Sequence, residues 1–336
     1  MLNVGLIGLG PEWENRYRPA LAKLQKRLKV RCVYTPVVTH AEQVSAELDC
    51  DVAPGLLALI EREDVQALLV LDAAWYLGVP AQLACRAGKP AFLAGRFVHR
   101  LPVADHLLLR AAQTGVTLMP DFGHRYTPAT SRLRELIATR LGRPLAVVAD
   151  VAAPVDSPAV DRETLAAALD WCSNLVGAAP ALVRAESAGA GIPAAAPPLA
   201  GKGPLQLHVE FRRRASGGEP ASARIRLNEP ARTAAPPDDV EARSLNLRAR
   251  VECVRGAALI EGPRGITWES GREKLAESLA ADRPDVEVML DHFSRRVVGG
   301  LIPVPTLEDL CRAYQLVDVA LDGGRSPSST PDRAAP

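Results

Sequence analysis

Short apolar runs alternate with segments of helical apolar spacing along the first 120 residues. Residues 4–7 and 65–71 are rich in leucine and β-branched side chains, which is typical of short buried strands. Between such runs, apolar side chains recur three or four positions apart, as they do from residue 15 to residue 28. This alternation predicts a parallel sheet that is covered by helices on both faces.

The periodicity predicts the elements of this half one by one. The predicted strands span 4–7, 29–34, 65–71, 91–94 and 116–120. The predicted helices span 15–28, 41–50, a short segment within 52–64, 79–87 and 99–114. Together they predict an N-terminal Rossmann domain with a doubly wound sheet over residues 1–122.

Beyond Gly142 the pattern changes to strands that are separated by turn residues. The predicted strands span 145–152, 181–187, 205–213, 221–227, 245–254, 256–261 and 265–268, and the predicted helices 129–140, 162–176, 285–298 and 306–322. This half is predicted to be an α+β domain, residues 123–324, with an open, mostly antiparallel sheet. Residues 189–204 form an Ala/Pro/Gly loop, and residues 325–336 a polar, disordered tail.

Composition narrows the class of protein. The 336 residues carry 40 basic and 39 acidic side chains, and aromatic residues make up 4%, which argues against nucleic-acid binding. The six cysteines contain no C-x-x-C pair, which is typical of reduced thiols. We find no signal-peptide pattern and no run of about 18 apolar residues, so we expect a cytoplasmic protein without a membrane span.

The N-terminal strand is followed by a glycine turn and then by a helical pattern, as in a dinucleotide-binding unit. Gly8 and Gly10 match the first two glycines of the motif G-x-G-x-x-G, but Trp13 stands where the third is expected. Glu12 adds a negative charge to the turn, and we expect Glu12 and Trp13 to fill the pyrophosphate site. The second strand ends at Tyr34 without the acid that would bind a ribose.

Several further motifs resemble the glucose-fructose oxidoreductase / inositol dehydrogenase / MocA family. They are VGLIGLG and RPAL near the N-terminus, AGK, RYTP, LDWCSNLVG, and the closing PVPTLEDLCRAYQLVDVAL. The resemblance covers about residues 2–325. It implies a Rossmann domain, a second α+β domain whose open sheet often forms a dimer or tetramer surface, and NAD(P)-linked oxidation or reduction of sugars, cyclitols and similar polyols.

The residues that this resemblance would make catalytic are replaced. The family's lysine position is Gly95 and the following proline position is Arg96. The family's histidine, three residues before the aspartate that aligns with Asp170, is Ala167, and its Pro-Asn-x-x-His pattern is replaced at 74–78. Hydride transfer from an alcohol needs a group that takes the hydroxyl proton, which alanine and glycine cannot do.

The densest polar cluster on the predicted strand-end loops is Asp121, His124, Arg125 and Tyr126, and the second domain brings Asp170 and Trp171 towards it. One interpretation is a ligand pocket in which Arg125 binds an anion and His124 replaces the missing acid or base. The other is structural: Arg125 pairs with Asp121 across the domain seam, His124 caps the next helix and Trp171 is core. The candidate catalytic residues are His124, Tyr126 and Asp170; the candidate cofactor contacts are Gly8, Leu9, Gly10 and Trp75; the candidate ligand contacts are Asp121, His124, Arg125, Tyr126 and Trp171.

Trp75 and Tyr76 either stack on a bound ring or plug the cofactor groove.

The sequence as a whole leaves two hypotheses for the function. The favoured hypothesis is a relative that is not a working dehydrogenase and serves as a ligand-binding or assembly module, a homodimer or higher oligomer through the C-terminal sheet. The alternative is an atypical NAD- or NADP-dependent oxidoreductase acting on a sugar-like or cyclitol-like substrate. His208 and His292 have no second ligand nearby in sequence, so no metal site is expected.

Overall fold

The computed structural model describes residues 1–72, 76, 78–94, 101–152, 162–187, 205–212, 219–228, 245 and 247–322. The predicted Ala/Pro/Gly loop and the predicted disordered tail both lie wholly outside these residues. Trp75, Gly95 and Arg96 also lie outside them.

The N-terminal sheet has six parallel strands in the order β3-β2-β1-β4-β5-β6. The strands are β1 Leu2–Ile7, β2 Leu28–Tyr34, β3 Asp51–Val52, β4 Ala67–Val70, β5 Ala91–Leu93 and β6 Leu118–Pro120. This is the strand order of a Rossmann fold, so the predicted fold class of this half is confirmed.

The second sheet has eight strands in the order β14-β13-β12-β11-β7-β10-β9-β8. The strands are β7 Pro144–Ala152, β8 Pro180–Ser187, β9 Leu205–Phe211, β10 Ser222–Asn228, β11 Leu247–Cys253, β12 Gly256–Glu261, β13 Gly265–Ser270 and β14 Glu273–Ser278. Only the β7–β10 pair is parallel among these described strands, which confirms the mostly antiparallel sheet.

The α-helices connect and cover these sheets. They are α1 Arg18–Lys23, α2 Val38–Leu48, α3 Leu56–Ile60, α4 Val79–Arg86, α5 Leu101–Thr114, α6 Pro128–Leu136, α7 Arg162–Val176, α8 Asp285–Val297 and α9 Leu307–Leu321. Helix α8 returns to the N-terminal sheet, because Met289 and Phe293 are buried in one hydrophobic core with Leu6 and Phe92. Helices α7 and α9 pack on each other beside the second sheet.

Helix α1 is shorter than predicted and is preceded by a π-helical turn, Trp13–Tyr17. The predicted helix to residue 28 is wrong, since Leu28 pairs with Leu2 as the first residue of β2. The edge strand β14 was not predicted because its charged, exposed sequence lacks an apolar face. In the part of the chain that the structure describes, no helix is long and apolar enough to span a bilayer.

Candidate functional site

A small cleft lies between the carboxyl ends of β5 and β6 and the helices α7 and α9. Its volume is about 70 Å³, room for several water molecules. Its walls include Asp121, Phe122, Glu163, Ala167 and Tyr314. The carboxyl edge of a parallel sheet is where ligands bind in open α/β folds, so this cleft is the candidate site.

Asp121 follows β6 and is held by three neighbours. The Arg16 guanidinium donates to both carboxylate oxygens, with Nη1–Oδ2 at 2.6 Å and Nη2–Oδ1 at 3.2 Å. The Tyr17 hydroxyl donates to Oδ2, and the Gly123 N–H donates to Oδ1 at 3.0 Å. Burial opposes ionisation, but the Arg16 charge and these hydrogen bonds hold the pKa of Asp121 below its ordinary value.

Arg16 extends this network into α8. Its Nη2 atom lies 2.7 Å from Oδ2 of Asp285, at the start of α8, and its Nη1 atom lies 3.3 Å from Oε2 of Glu12. A Cβ atom on Gly123 would displace the ends of the Asp285 and Arg16 side chains, so glycine there leaves room for their ion pair. Three segments that are distant in sequence are therefore joined through one buried arginine.

Asp170, on α7, is the centre of a second network. His124 Nε2 lies 2.8 Å from Oδ2, and Arg125 donates to both oxygens, with Nε–Oδ2 at 2.8 Å and Nη2–Oδ1 at 2.5 Å. Arg125 also reaches Oδ2 of Asp309, the first-turn residue that caps α9, at 3.2 Å. Burial raises the pKa of Asp170, yet the hydrogen bonds and charges of Arg125 and His124 bring it below its ordinary value.

The predicted ion pair between Arg125 and Asp121 is wrong. Asp121 pairs with Arg16, and Arg125 pairs with Asp170, because the loop after β6 places the two side chains in different networks. The prediction that His124 caps the next helix is also wrong: the cap of α6 is Thr127, whose hydroxyl accepts from the Thr130 N–H at 3.2 Å.

Trp171 and Tyr126 pack away from the cleft. Trp171 is 1% exposed, and its indole N–H donates to the Thr130 hydroxyl at 2.9 Å, so the prediction that Trp171 is a core residue is confirmed. The Tyr126 ring meets the His292 ring edge-on at 5.3 Å, and burial raises the pKa of Tyr126 to about 12. Among the candidate ligand residues, Asp121 lines the cleft.

The glycine turn has the geometry that its sequence predicts. Gly8 and Gly10 have φ angles of +67° and +65°, which favour glycine. A Cβ atom on Gly8 would lie 3.0 Å from both Tyr76 Cε2 and Asp72 Cβ, and one on Gly10 would collide with the Leu71 carbonyl oxygen. A side chain at either position would therefore crowd this chain's own atoms, which is a second reason for glycine there.

The residues after the turn do not play the part predicted for them. Trp13 is 4% exposed and belongs to the hydrophobic core beneath the sheet, so the prediction that it fills the pyrophosphate site is wrong. Glu12 is 3.3 Å from Arg16 and belongs to the Asp121 network. Leu9 is partly buried against the same core as Trp13.

Sequence reasoning missed four residues of these sites. Arg16 and Asp309 complete the two networks, and Glu163 and Tyr314 line the cleft. Helical spacing places Glu163 and Ala167 four residues apart on one face of α7, which is the signal that could have found Glu163. The local sequence shows only the helical spacing of Glu12 and Arg16, since Asp121 and Asp285 lie 105 and 269 positions from Arg16.

A parallel sheet in Rossmann order, followed by a large open sheet, is the two-domain fold of NAD(P)-dependent oxidoreductases of the glucose-fructose oxidoreductase / inositol dehydrogenase / MocA type. The resemblance seen in the sequence is confirmed for the fold. Neither a scan of protein-family models nor a search of curated proteins gives a match.

Solved structures match nearly the whole chain. UDP-N-acetylglucosamine 3-dehydrogenase GnnA from Acidithiobacillus ferrooxidans aligns at a TM-score of 0.71 and 20% identity, covering 96% of this chain and 97% of that one. An oxidoreductase from Agrobacterium radiobacter, in complex with NAD+, L-tartaric acid and magnesium, aligns at 0.71 and 12% identity, with 96% of each chain covered. An NAD binding oxidoreductase from Klebsiella pneumoniae aligns at 0.71 and 18% identity, again over 96% of each. At these identities the likeness shows the fold alone.

In the described residues, no group of three or more His, Cys, Asp or Glu side chains is arranged to hold a metal ion.

Proposed function

We propose that this chain is not a working dehydrogenase and that it serves as a binding protein for a small molecule in the cleft between the ends of β5 and β6 and the helices α7 and α9. The observation that carries the proposal is Ala167. It lines the cleft at the position where the family resemblance places a histidine, and its methyl group cannot accept a proton.

In our proposal, His124, Arg125 and Asp121 do not replace the missing histidine as a proton acceptor. His124 and Arg125 converge on one carboxylate, Asp170, and each is at least 87% buried. Asp121 faces the cleft but shares its oxygens with Arg16, Tyr17 and Gly123, and its lowered pKa makes it a weak proton acceptor. Moving a proton to either carboxylate would disrupt a buried ion pair, which costs several kcal/mol in comparable sites, roughly 3–5.

The ligand class follows from the walls of the cleft. Glu163 brings a carboxylate to the cleft and Tyr314 a phenol, whereas Phe122 and Ala167 bring apolar surface. Carboxylates accept hydrogen bonds from hydroxyl groups, and apolar walls pack against the carbon-bound face of a polyol. We therefore propose a small hydroxylated molecule as the ligand.

The competing function is an atypical NAD(P)-dependent oxidoreductase for a sugar-like or cyclitol-like substrate. The observation in its favour is that Glu163 and Tyr314 line the cleft, so ionisable groups that sequence reasoning did not consider are within reach of a ligand. Under this hypothesis one of them takes the role of the missing base.

The deciding experiment measures turnover and binding together. Purified protein is incubated with NAD+ or NADP+ and a panel of polyols while nicotinamide reduction is followed, and the same polyols are tested for a rise in Tm. We expect no reduction and a Tm rise with at least one polyol, lost in Glu163→Gln but kept in Glu210→Gln, an exposed strand residue. Reduction that Glu163→Gln or Tyr314→Phe abolishes would establish the oxidoreductase instead.

The homo-oligomer also stays a proposal. The outward side chains of the second sheet are polar and pair across strands, with Arg226–Asp150 at 3.6 Å and Arg248–Glu261 at 3.2 Å. Because this face carries both positive and negative side chains, the same face of a second copy can place opposite charges against it. Light scattering coupled to size-exclusion chromatography is expected to give a dimer or a larger assembly, and a mass of 35.8 kDa would refute it.

A further inference from the structure

We infer that Tyr76 occupies the groove above the glycine turn and, together with Asp72, excludes NAD(P) from a turn that keeps the first two glycines of the motif. The inference concerns cofactor exclusion and does not depend on the proposed ligand of the cleft.

The first observation is the position of the ring. Tyr76 Cε2 lies 3.0 Å from the point that a Cβ atom on Gly8 would take, and the Tyr76 ring centre is 6.4 Å from that of Tyr34 at the end of β2. The ring therefore bridges the loops after β1, β2 and β4. In a Rossmann fold these loops form the walls of the dinucleotide groove.

The second observation is how the ring is held. Both tyrosine rings pack against the hydrophobic core that contains Ile7 and Cys32, so Tyr76 is anchored by apolar contact. Its hydroxyl is buried and has no hydrogen-bond partner in the described residues. Burial, followed by the charges of Tyr34 and Asp72, raises the pKa of Tyr76 to about 12, so the phenol stays neutral near pH 7.

The third observation is the charge beside the turn. Asp72 follows β4, and its Cβ atom is as close to the Gly8 position as the Tyr76 ring is, at 3.0 Å. A carboxylate at this place repels the two negative charges of a pyrophosphate. A ring that fills the space and a carboxylate that opposes the charge act in the same direction.

The test is nucleotide binding by calorimetry, with NADH and NADPH as the probes, on the full chain. Wild type and Tyr76→Phe, which keeps the ring, are expected to bind neither. Tyr76→Ala is expected to bind at least one of them at least about tenfold more tightly than wild type does. The double variant Tyr76→Ala with Asp72→Asn is expected to bind more tightly still. Tyr76→Val, which keeps apolar volume against the core, is the second opening variant in case the alanine variant does not fold.

Two results would overturn the inference. One is wild-type protein that binds NADH as tightly as Tyr76→Ala. The other is an opening variant that is folded by circular dichroism and thermal unfolding yet gains no affinity. Neither result touches the proposal of a non-catalytic binding protein, because that proposal is decided by polyol turnover and by the Tm response to polyols.

Discussion

The glycine turn and the domain seam both lie at the carboxyl edge of the N-terminal sheet, but different forces hold them. At the turn, Tyr76 packs on Gly8 and on the apolar core, with few polar contacts. At the seam, Asp121 and Asp170 are locked by arginines in buried ion pairs. Volume-conserving changes in apolar packing cost less than about 1.5 kcal/mol, whereas removing one partner of a buried ion pair costs about 3–5 kcal/mol. Conservative changes should therefore be tolerated better at the turn than at the seam.

The largest effect is expected from Asp170→Ala. The change leaves Arg125 and His124 without their carboxylate, and Asp170 is 6% exposed, so we expect a loss of about 3–5 kcal/mol in the free energy of unfolding. Urea unfolding followed by circular dichroism measures it. The matched control is Asp150→Ala, whose partly exposed pair with Arg226 is worth less than about 1 kcal/mol. Equal losses in the two variants would show that the seam is not held by its ion pairs.

The pH dependence of stability is expected to come from the same seam. The folded-state pKa values of Asp121 and Asp170 lie below the unfolded value, so these groups stabilise the fold above that unfolded pKa and lose this contribution as the pH falls. Wild-type stability should fall below about pH 5 by roughly 1–3 kcal/mol. The stability of the Asp170→Asn variant should fall less as the pH is lowered. A profile that does not differ between the two proteins would assign the acid sensitivity to other carboxylates.

At the turn, Gly10→Ala is expected to cost about 2 kcal/mol. Gly10 combines a φ of +65° with a Cβ position that collides with the Leu71 carbonyl oxygen. Gly271→Ala is the control, because Gly271 has a similar φ of +62° with no atom within 4 Å, and its cost should be about 1 kcal/mol. Thermal unfolding of both variants separates the cost of the positive φ from the cost of the collision. Equal Tm values would mean that the collision with Leu71 does not destabilise the protein.

The smallest effect is expected from Tyr76→Phe. Removing a buried hydroxyl that has no partner among the described residues should leave stability unchanged or raise it by up to about 1 kcal/mol. Chemical unfolding measures the change. A loss greater than about 1 kcal/mol would mean that the hydroxyl is hydrogen-bonded and that polar contacts hold the turn as they hold the seam.

Much of the fold was predictable from local pattern, and the failures have identifiable causes. Helix α7 begins and ends at the predicted residues 162 and 176, because its apolar face and its flanks are both local signals. Helix α1 was predicted too long, since Leu28 continues the helical spacing but pairs with Leu2 in the sheet. Sheet pairing, which joins residues distant in sequence, overrode the local preference.

For the candidate site, the sequence alone determined that glycine stands at position 95 and alanine at position 167, and neither side chain can accept a proton in any conformation. It also determined that Gly8 and Gly10 form a turn, because a positive φ is a property of the residue type and its neighbours. Only the tertiary structure decided that Asp121 pairs with Arg16, that Asp170 pairs with Arg125, and that Tyr76 lies on the turn. Charge pairing and ring packing depend on distances between segments far apart in the chain, and spacing along one segment does not encode those distances.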